Sequence, residues 1–263
     1  MVELAEVLAD LRDESADLDA RVAGLSEVDW SRPTPAEGWT IAHQIAHLAW
    51  TDHVSVLAAR DPDAFTAGLA RAMEAPDRFV DEGAREFLTE PAALLARWRA
   101  GREALAGALV DVPAGAKVPW YGVVMSPTTM ATARVMETWA HGLDVADALG
   151  VVREPTARLR HVAHLGHRTM AYGFVAHGRT EPTGPVRLEL SGPDGALWTY
   201  GPADAANRLT GPALDFCLLV TQRRNRADLA LVPSGPVADE WLDVAQCFAG
   251  PAGPGRPPGG DAP

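Results

Sequence analysis

Positive charge is scarce in this sequence: 23 lysine and arginine side chains stand against 35 aspartates and glutamates, for a formal net charge of −12 over 263 residues. Nucleic-acid binding depends on clustered basic side chains that neutralise phosphates, so the excess of acid argues against a nucleic-acid partner. Hydrophobic residues make up 47% and charged residues 22%, which is ordinary globular usage and argues against disorder for most of the chain. We expect a folded protein with no nucleic-acid partner.

Cysteine and long apolar runs are also scarce. Cys217 and Cys247 lie 30 positions apart in apolar helical surroundings, which favours buried side chains over a disulfide framework or a CxxC metal site. No apolar run has the roughly 20 residues that a bilayer-spanning helix needs, and the acidic N-terminus lacks the basic region of a signal peptide. We predict a cytoplasmic protein with no membrane partner, present as a monomer or a homodimer.

Signatures of several common enzyme classes are missing from the sequence. It contains no GxSxG nucleophile elbow, no GxxxxGKS or GxxxxGKT phosphate loop, no GxGxxG after a strand and no HExxH zinc motif. The candidates that remain for chemistry are histidines and carboxylates in helical segments.

Hydrophobic periodicity predicts four or five long helices. Thr40 and Ser126 are suited to cap helix N-termini, and Gly150 is suited to end a helix. Residues 61–88 are less regular, with a short helix expected around 66–73. The long helices are predicted at residues 2–24, 40–60, 91–109, 127–150 and 155–177. Helices of this length joined by loops indicate an antiparallel bundle.

The sequence pattern changes after Gly178. Residues 186–190 alternate with period two, a turn follows at 193–195, and 197–200 form the returning strand; helices are expected after Gly211 and over 237–248, with a strand-like segment at 229–232. The predicted fold is therefore mostly α, a bundle domain (1–180) followed by a small α+β domain (181–249). The Pro/Gly-rich segment 250–263 is predicted to be disordered.

Two pairs of possible metal ligands occur at helical spacing: His43 with His47, and Glu137 with His141. Side chains four residues apart on a helix project from one face with Cβ atoms roughly 6 Å apart, close enough to share a divalent ion. His47, Glu137 and His141 would leave coordination positions open, as a catalytic metal requires. The alternative is that each pair is only a side-chain interaction. Apolar neighbours favour an inward orientation, in which unpartnered imidazole and carboxylate groups would be costly.

Two segments carry a resemblance to a known family. GWTIAHQIAHLAW (38–50) resembles the first metal-ligand helix of the DinB-like, mycothiol-dependent maleylpyruvate isomerase family, and ETWAHGLDVADALG (137–150) resembles its second ligand motif. The resemblance implies a DinB-like four-helix bundle with His47, Glu137 and His141 as metal ligands. The C-terminal tract VRLEL…GPALDFCLLVTQRR is similar to an actinobacterial subgroup described mostly as metal-binding.

The resemblance also implies a chemistry. It suggests a metal-dependent isomerase or thiol transferase, in which a divalent ion, zinc by its nitrogen and oxygen ligands, lowers the pKa of a bound thiol or water. Mycothiol would be the thiol cosubstrate, and the reaction would be isomerisation of, or thiol transfer to, a small organic molecule. Two alternatives stay open: a non-enzymatic protein that binds a metal or small ligand, and a metal-dependent hydrolase that uses water.

Further residues are candidates for substrate contacts. A carboxylate substrate needs local positive charge, so Arg223 is a candidate catalytic residue and Arg224 a candidate binding residue; both could instead stabilise the C-terminal end of a helix. Trp120 and Tyr121 precede the fourth helix and are predicted to line the substrate pocket. His164 is the best placed of a histidine run in the fifth helix, where packing is the alternative role.

Three residues are predicted to act beside the ligands. His43 is a further candidate ligand, donor or catalytic base, with simple packing as the alternative. Arg134 lies one turn before Glu137 and is predicted to hold that carboxylate. Asp144 lies three residues after His141 and is predicted to orient its imidazole through the second ring nitrogen, with a solvated surface acid as the alternative.

Overall fold

The computed structural model describes residues 3–74, 76–253 and 255–259, and its contacts divide the chain into two units, the first ending at Arg153 and the second beginning at Glu154. The elements of the first unit are, in order, α1 (Leu4–Val22), α2 (Glu27–Trp30), α3 (Ile41–Arg60), α4 (Pro62–Glu74), α5 (Pro76–Phe87), α6 (Pro91–Val110), β1 (Val118–Trp120), β2 (Val123–Met125) and α7 (Pro127–Leu149). Among the described residues, no helix combines the length and apolarity needed to cross a membrane.

The four long helices α1, α3, α6 and α7 form the predicted bundle, with α3 packed on α6 and α7, and α1 packed on α7. Their core consists of two apolar clusters. One contains Leu18, Val22, Trp30, Ile41, Ile45, Leu48, Leu94, Trp98 and Val145. The other contains Val7, Leu8, Leu11, Ala58, Phe65, Leu105, Leu109, Met130 and Val135. Along α1, α3 and α7, the buried polar residues Glu14, Asp52 and Thr138 separate members of the two clusters, so the bundle carries polar groups in its interior.

The ends of the two helices that carry the predicted ligands follow from local sequence. Thr40 precedes α3 in extended backbone, and Ser126 caps α7 by accepting a hydrogen bond from the backbone N–H of Thr129 at 3.1 Å. Gly150 ends α7 with φ of 66°, a left-handed conformation that glycine adopts without strain. The predicted bounds of these two helices are confirmed.

Two parts of the first unit differ from the prediction. The less regular region holds two helices, α4 and α5, rather than one short helix, and the predicted loop before α7 contains the β1–β2 hairpin. Helix α5 is rich in charge, and it packs on α3. At their contact, a Cβ on Gly83 would lie 2.3 Å from the Trp50 ring, so the missing side chain permits the approach.

This approach leads to a prediction about stability. Gly83→Ala is expected to lower the free energy of unfolding by about 1–3 kcal/mol, because the Trp50 ring must shift out of a packed position. Gly68→Ala is the matched control, since Gly68 lies on α4 and a Cβ added there would meet no atom within 4 Å; it should be neutral or stabilising by up to about 1 kcal/mol. Urea unfolding of both variants measures the difference, and equal effects would contradict the close packing.

The second unit contains helices and a four-stranded sheet in the order β4-β3-β5-β6. Its elements are α8 (Leu159–Arg168), α9 (Met170–Ala176), β3 (Val186–Ser191), β4 (Leu197–Tyr200), β5 (Asn207–Pro212), α10 (Ala213–Val220), β6 (Val232–Ser234) and α11 (Pro236–Val244). Strands β3 and β4 form the predicted hairpin, and β5, which the sequence did not indicate, pairs parallel to β3. Both cysteines are buried here, as predicted, and burial raises the pKa of the Cys217 thiol well above its usual value.

The domain limits drawn from the sequence differ from this division. The helix predicted over 155–177 is two helices that meet at Thr169, whose hydroxyl donates to the carbonyl of Leu165 at 3.0 Å. Helix α8 packs on α10, so contacts assign it to the second unit rather than to the bundle domain ending at 180. In the tail predicted to be disordered, the described residues include Arg256, whose carbonyl accepts from Asn225 Nδ2 at 2.8 Å.

Candidate metal centre

Three of the predicted ligands converge between α3 and α7. Glu137 Oε2 lies 3.2 Å from His47 Nε2 and 3.2 Å from His141 Nε2. One ligand atom from each residue lies within 4.8 Å of the others. Helix α3 supplies the first imidazole, and one turn of α7 supplies the carboxylate and the second imidazole.

This arrangement fits a divalent ion. Bonds of 2.0–2.2 Å in a tetrahedral zinc site place neighbouring ligand atoms about 3.4 Å apart, close to the separations around Glu137. The side chains of His47, Glu137 and His141 are 7%, 20% and 13% exposed. The group is therefore enclosed by protein while keeping some access for an additional ligand.

The electrostatic state of the group also suits a metal. Burial, followed by the neighbouring His141, lowers the pKa of His47 to about 4, so this imidazole is neutral at neutral pH. Burial raises the pKa of Glu137, but the neighbouring imidazoles of His141 and His47 outweigh it and hold that pKa well below its usual range. Neutral imidazole and ionised carboxylate are the forms that coordinate metal.

Gln44 is a site residue that the sequence analysis missed. Its Oε1 lies 2.5 Å from His141 Nδ1, and its Nε2 donates to Thr34 Oγ1 at 2.8 Å. The prediction gave the role of orienting His141 to Asp144, but the partner of the second ring nitrogen in the structure is Gln44. Gln44 lies three residues before His47 on α3, and that shared helix face was the available signal.

Arg134 and His43 have different partners from those predicted. Arg134 Nε donates to Asp52 Oδ1 at 3.0 Å, in a pair whose side chains are 2% and 6% exposed, rather than holding Glu137. Burial raises the pKa of Asp52 against the opposing effect of Arg134. His43 Nδ1 accepts from the backbone N–H of Thr40 at 3.2 Å, so His43 helps to cap α3 and lies outside the ligand group.

Trp39, also missed from the sequence, lies against the imidazoles. Its ring centroid is 5.4 Å from that of His47 and 6.1 Å from that of His141, with the latter pair stacked at 22°. Its indole Nε1 donates to Asp81 Oδ1 of α5 at 3.2 Å. Trp39 and α5 therefore shield part of the group from solvent.

Trp120 and Tyr121 pack against each other in a cluster of aromatic rings that extends to His47. Tyr121 lies 5.5 Å from Phe79, Phe79 lies 5.3 Å from Trp50, and Trp50 lies 5.9 Å from His47, all between centroids. Burial raises the pKa of Tyr121 to about 12. Their predicted contact with substrate stays a prediction.

The remaining candidates lie in the second unit. The His164 ring is 6.2 Å from that of Tyr200. Arg223 Nη1 donates to the Thr221 carbonyl at 2.7 Å, and Arg224 Nη1 donates to the Arg223 carbonyl at 2.7 Å. The predicted roles of the three residues toward substrate stay predictions.

Comparison with known proteins gives two matches to family models. The model described as the mycothiol maleylpyruvate isomerase N-terminal domain matches residues 11–146, which include all three predicted ligands. A model described as wyosine base formation matches residues 182–232 of the second unit. Two relatives from strains of Mycobacterium tuberculosis, uncharacterized proteins Rv0036c and MT0041, are each 52% identical over 97% of this chain and 100% of their own length.

Solved structures show a similar fold. The crystal structure of the mycothiol-dependent maleylpyruvate isomerase has a TM-score of 0.57 and 16% identity, covering 90% of this chain and 96% of that one. A mutant of the same enzyme gives a TM-score of 0.57 and covers 89% and 97% of the two chains. The family model spans more than half of the sequence. The chain therefore belongs to the mycothiol maleylpyruvate isomerase N-terminal domain family, a family of enzymes, as its two helix motifs predicted.

Proposed function

We propose that this protein is a divalent-metal-dependent enzyme that uses mycothiol to isomerise a small organic substrate or to transfer the thiol to it. The observation that carries the proposal is the Glu137 carboxylate lying 3.2 Å from both imidazoles, inside a domain of this family. The similar solved structures are those of a mycothiol-dependent maleylpyruvate isomerase, and this supports the thiol and the reaction class here.

Each residue at the proposed metal centre has a distinct role. His47 and His141 supply neutral nitrogen ligands, and Glu137 supplies negative charge, a donor set for which zinc is the best candidate. Bound there, the ion supplies a lowered thiol pKa and hence a thiolate at neutral pH. Trp39 and Trp50 pack beside the imidazoles and keep water away from that side.

The thiol is assigned to a cosubstrate rather than to the protein. Cys217 is fully buried, and burial raises the pKa of its thiol well above the usual value, so it is a poor nucleophile at neutral pH. Cys247 is buried as well. The cytoplasmic location and the monomeric or homodimeric state stay predictions.

The test is turnover of a maleyl-type diacid by purified protein with Zn²⁺ and mycothiol. We expect activity that needs both, disappears with chelator and returns with added Zn²⁺. Metal binding without turnover by any thiol would overturn the enzymatic proposal in favour of a binding protein. Turnover that needs metal but no thiol would overturn it in favour of a hydrolase that uses water.

A further inference from the structure

We infer that Gln44, held in place by Thr34, is a positioning residue that decides which nitrogen of His141 is presented to the metal. The inference rests on the proposed function, because it concerns a ligand of the proposed metal. Its basis is the direction of the hydrogen bonds that connect Trp39, Thr34, Gln44 and His141.

The direction of the first hydrogen bond is set by a backbone carbonyl. Thr34 Oγ1 lies 3.0 Å from the carbonyl oxygen of Trp39, which only accepts, so the single hydroxyl proton of Thr34 is used there. The Thr34 oxygen must then accept from its other neighbour, Gln44, at 2.8 Å. This places the amide NH₂ of Gln44 toward Thr34 and its carbonyl oxygen toward His141.

The orientation of the Gln44 amide determines the tautomer of His141. The amide oxygen only accepts, so His141 Nδ1, at 2.5 Å, must carry the proton. In the neutral ring, Nε2 then has a free lone pair, and this atom faces Glu137 Oε2 at 3.2 Å. Two acceptors at that distance repel each other unless a metal ion or a second ring proton lies between them, so the network arranges Nε2 and Glu137 to share a cation.

The local fold explains why Thr34 is available for this task. The backbone N–H of Thr34 also donates to the Trp39 carbonyl at 2.8 Å, and Pro33 and Thr40 form a β-bridge, so the loop closes on the start of α3. Gln44 lies one turn into that helix. The loop that places the Trp39 ring on His141 therefore also fixes the Gln44 amide.

Imidazole ¹⁵N NMR of the metal-free full chain tests the inference directly. We expect the Nδ1–H tautomer of His141 in the wild type and a shift toward the Nε2–H tautomer in Gln44→Leu, because Glu137 is then the available acceptor. Thr34→Val should give a partial shift, since the amide is free to turn. A wild-type ring with the proton on Nε2, or an unchanged tautomer in Gln44→Leu, would overturn the inference whether or not metal binds.

Metal affinity provides the second readout, with Zn²⁺ measured by chelator competition and Co²⁺ by its visible absorption. Gln44→Leu should weaken Zn²⁺ binding by about 10–100-fold and alter the Co²⁺ spectrum. Gln44→Glu should restore the affinity, because a carboxylate accepts the same proton. Unchanged affinity in a folded Gln44→Leu protein would contradict the inference. Absence of Zn²⁺ binding in the wild type would instead refute the proposed function. The NMR comparison needs no metal and would still test the role of Gln44.

Discussion

Glu137→Gln is expected to lower the affinity for Zn²⁺ by more than about 100-fold, beyond the loss typical of residues that only support a ligand. Glu137 is the shared neighbour of both imidazoles, at 3.2 Å from each, and it brings the negative charge of the group. Glutamine keeps the size of the side chain but removes that charge. Zinc content after dialysis and chelator competition measure the loss, and thiol-dependent turnover should disappear with it.

The matched control is Glu103→Gln, because Glu103 is exposed on α6 and lies outside the ligand group. It should bind Zn²⁺ like the wild type. His47→Ala should follow Glu137→Gln, since it removes the ligand from the other helix. Equal zinc content in wild type, Glu137→Gln and His47→Ala would refute the proposed metal centre but not the fold.

Asp52→Ala is expected to lower the free energy of unfolding by about 3–5 kcal/mol, since it leaves a buried charge without its partner. The Arg134 side chain is only 2% exposed, and its Nε donates to Asp52 at 3.0 Å. Water solvates an unpaired guanidinium well, but the buried position of Arg134 between α3 and α7 excludes that water. Urea or thermal unfolding monitored by circular dichroism measures the effect.

Two comparisons separate this cause from general damage. Asp111→Ala removes an acid that is 72% exposed and 3.9 Å from Arg60, so it should cost no more than about 1 kcal/mol. The double variant Asp52→Leu with Arg134→Met should recover most of the loss, because it removes both charges and keeps apolar volume. A double variant as unstable as Asp52→Ala would show that the unpaired charge is not the cause.

The long helices were predictable because their signals are local. Periodic apolar residues, the residues before α3 and α7, and Gly150 all act within a few residues of the helix that they define. Helix α5 and strand β5 were missed for the opposite reason. Helix α5 depends on packing against α3, and β5 depends on pairing with β3, from which β4 separates it along the chain.

The candidate site shows the same division. The spacing of Glu137 and His141 by itself placed both on one face of a helix, since four residues make slightly more than one turn. The choice between His43 and His47 was not local: the packing of α3 on α7 brings His47 to the carboxylate, while His43 turns to the start of its own helix. Arg134 likewise has its partner on α3, at Asp52.

From the sequence alone came the bounds of α3 and α7, the family motifs and the three converging residues that are predicted to bind a metal. The tertiary structure decided which further side chains meet the site: Gln44 lies against His141, and Trp39 covers the imidazoles. The physical reason is the distance along the chain over which each interaction acts. Helical periodicity acts within one turn, whereas a hydrogen bond across 97 residues depends on how two helices and a loop pack.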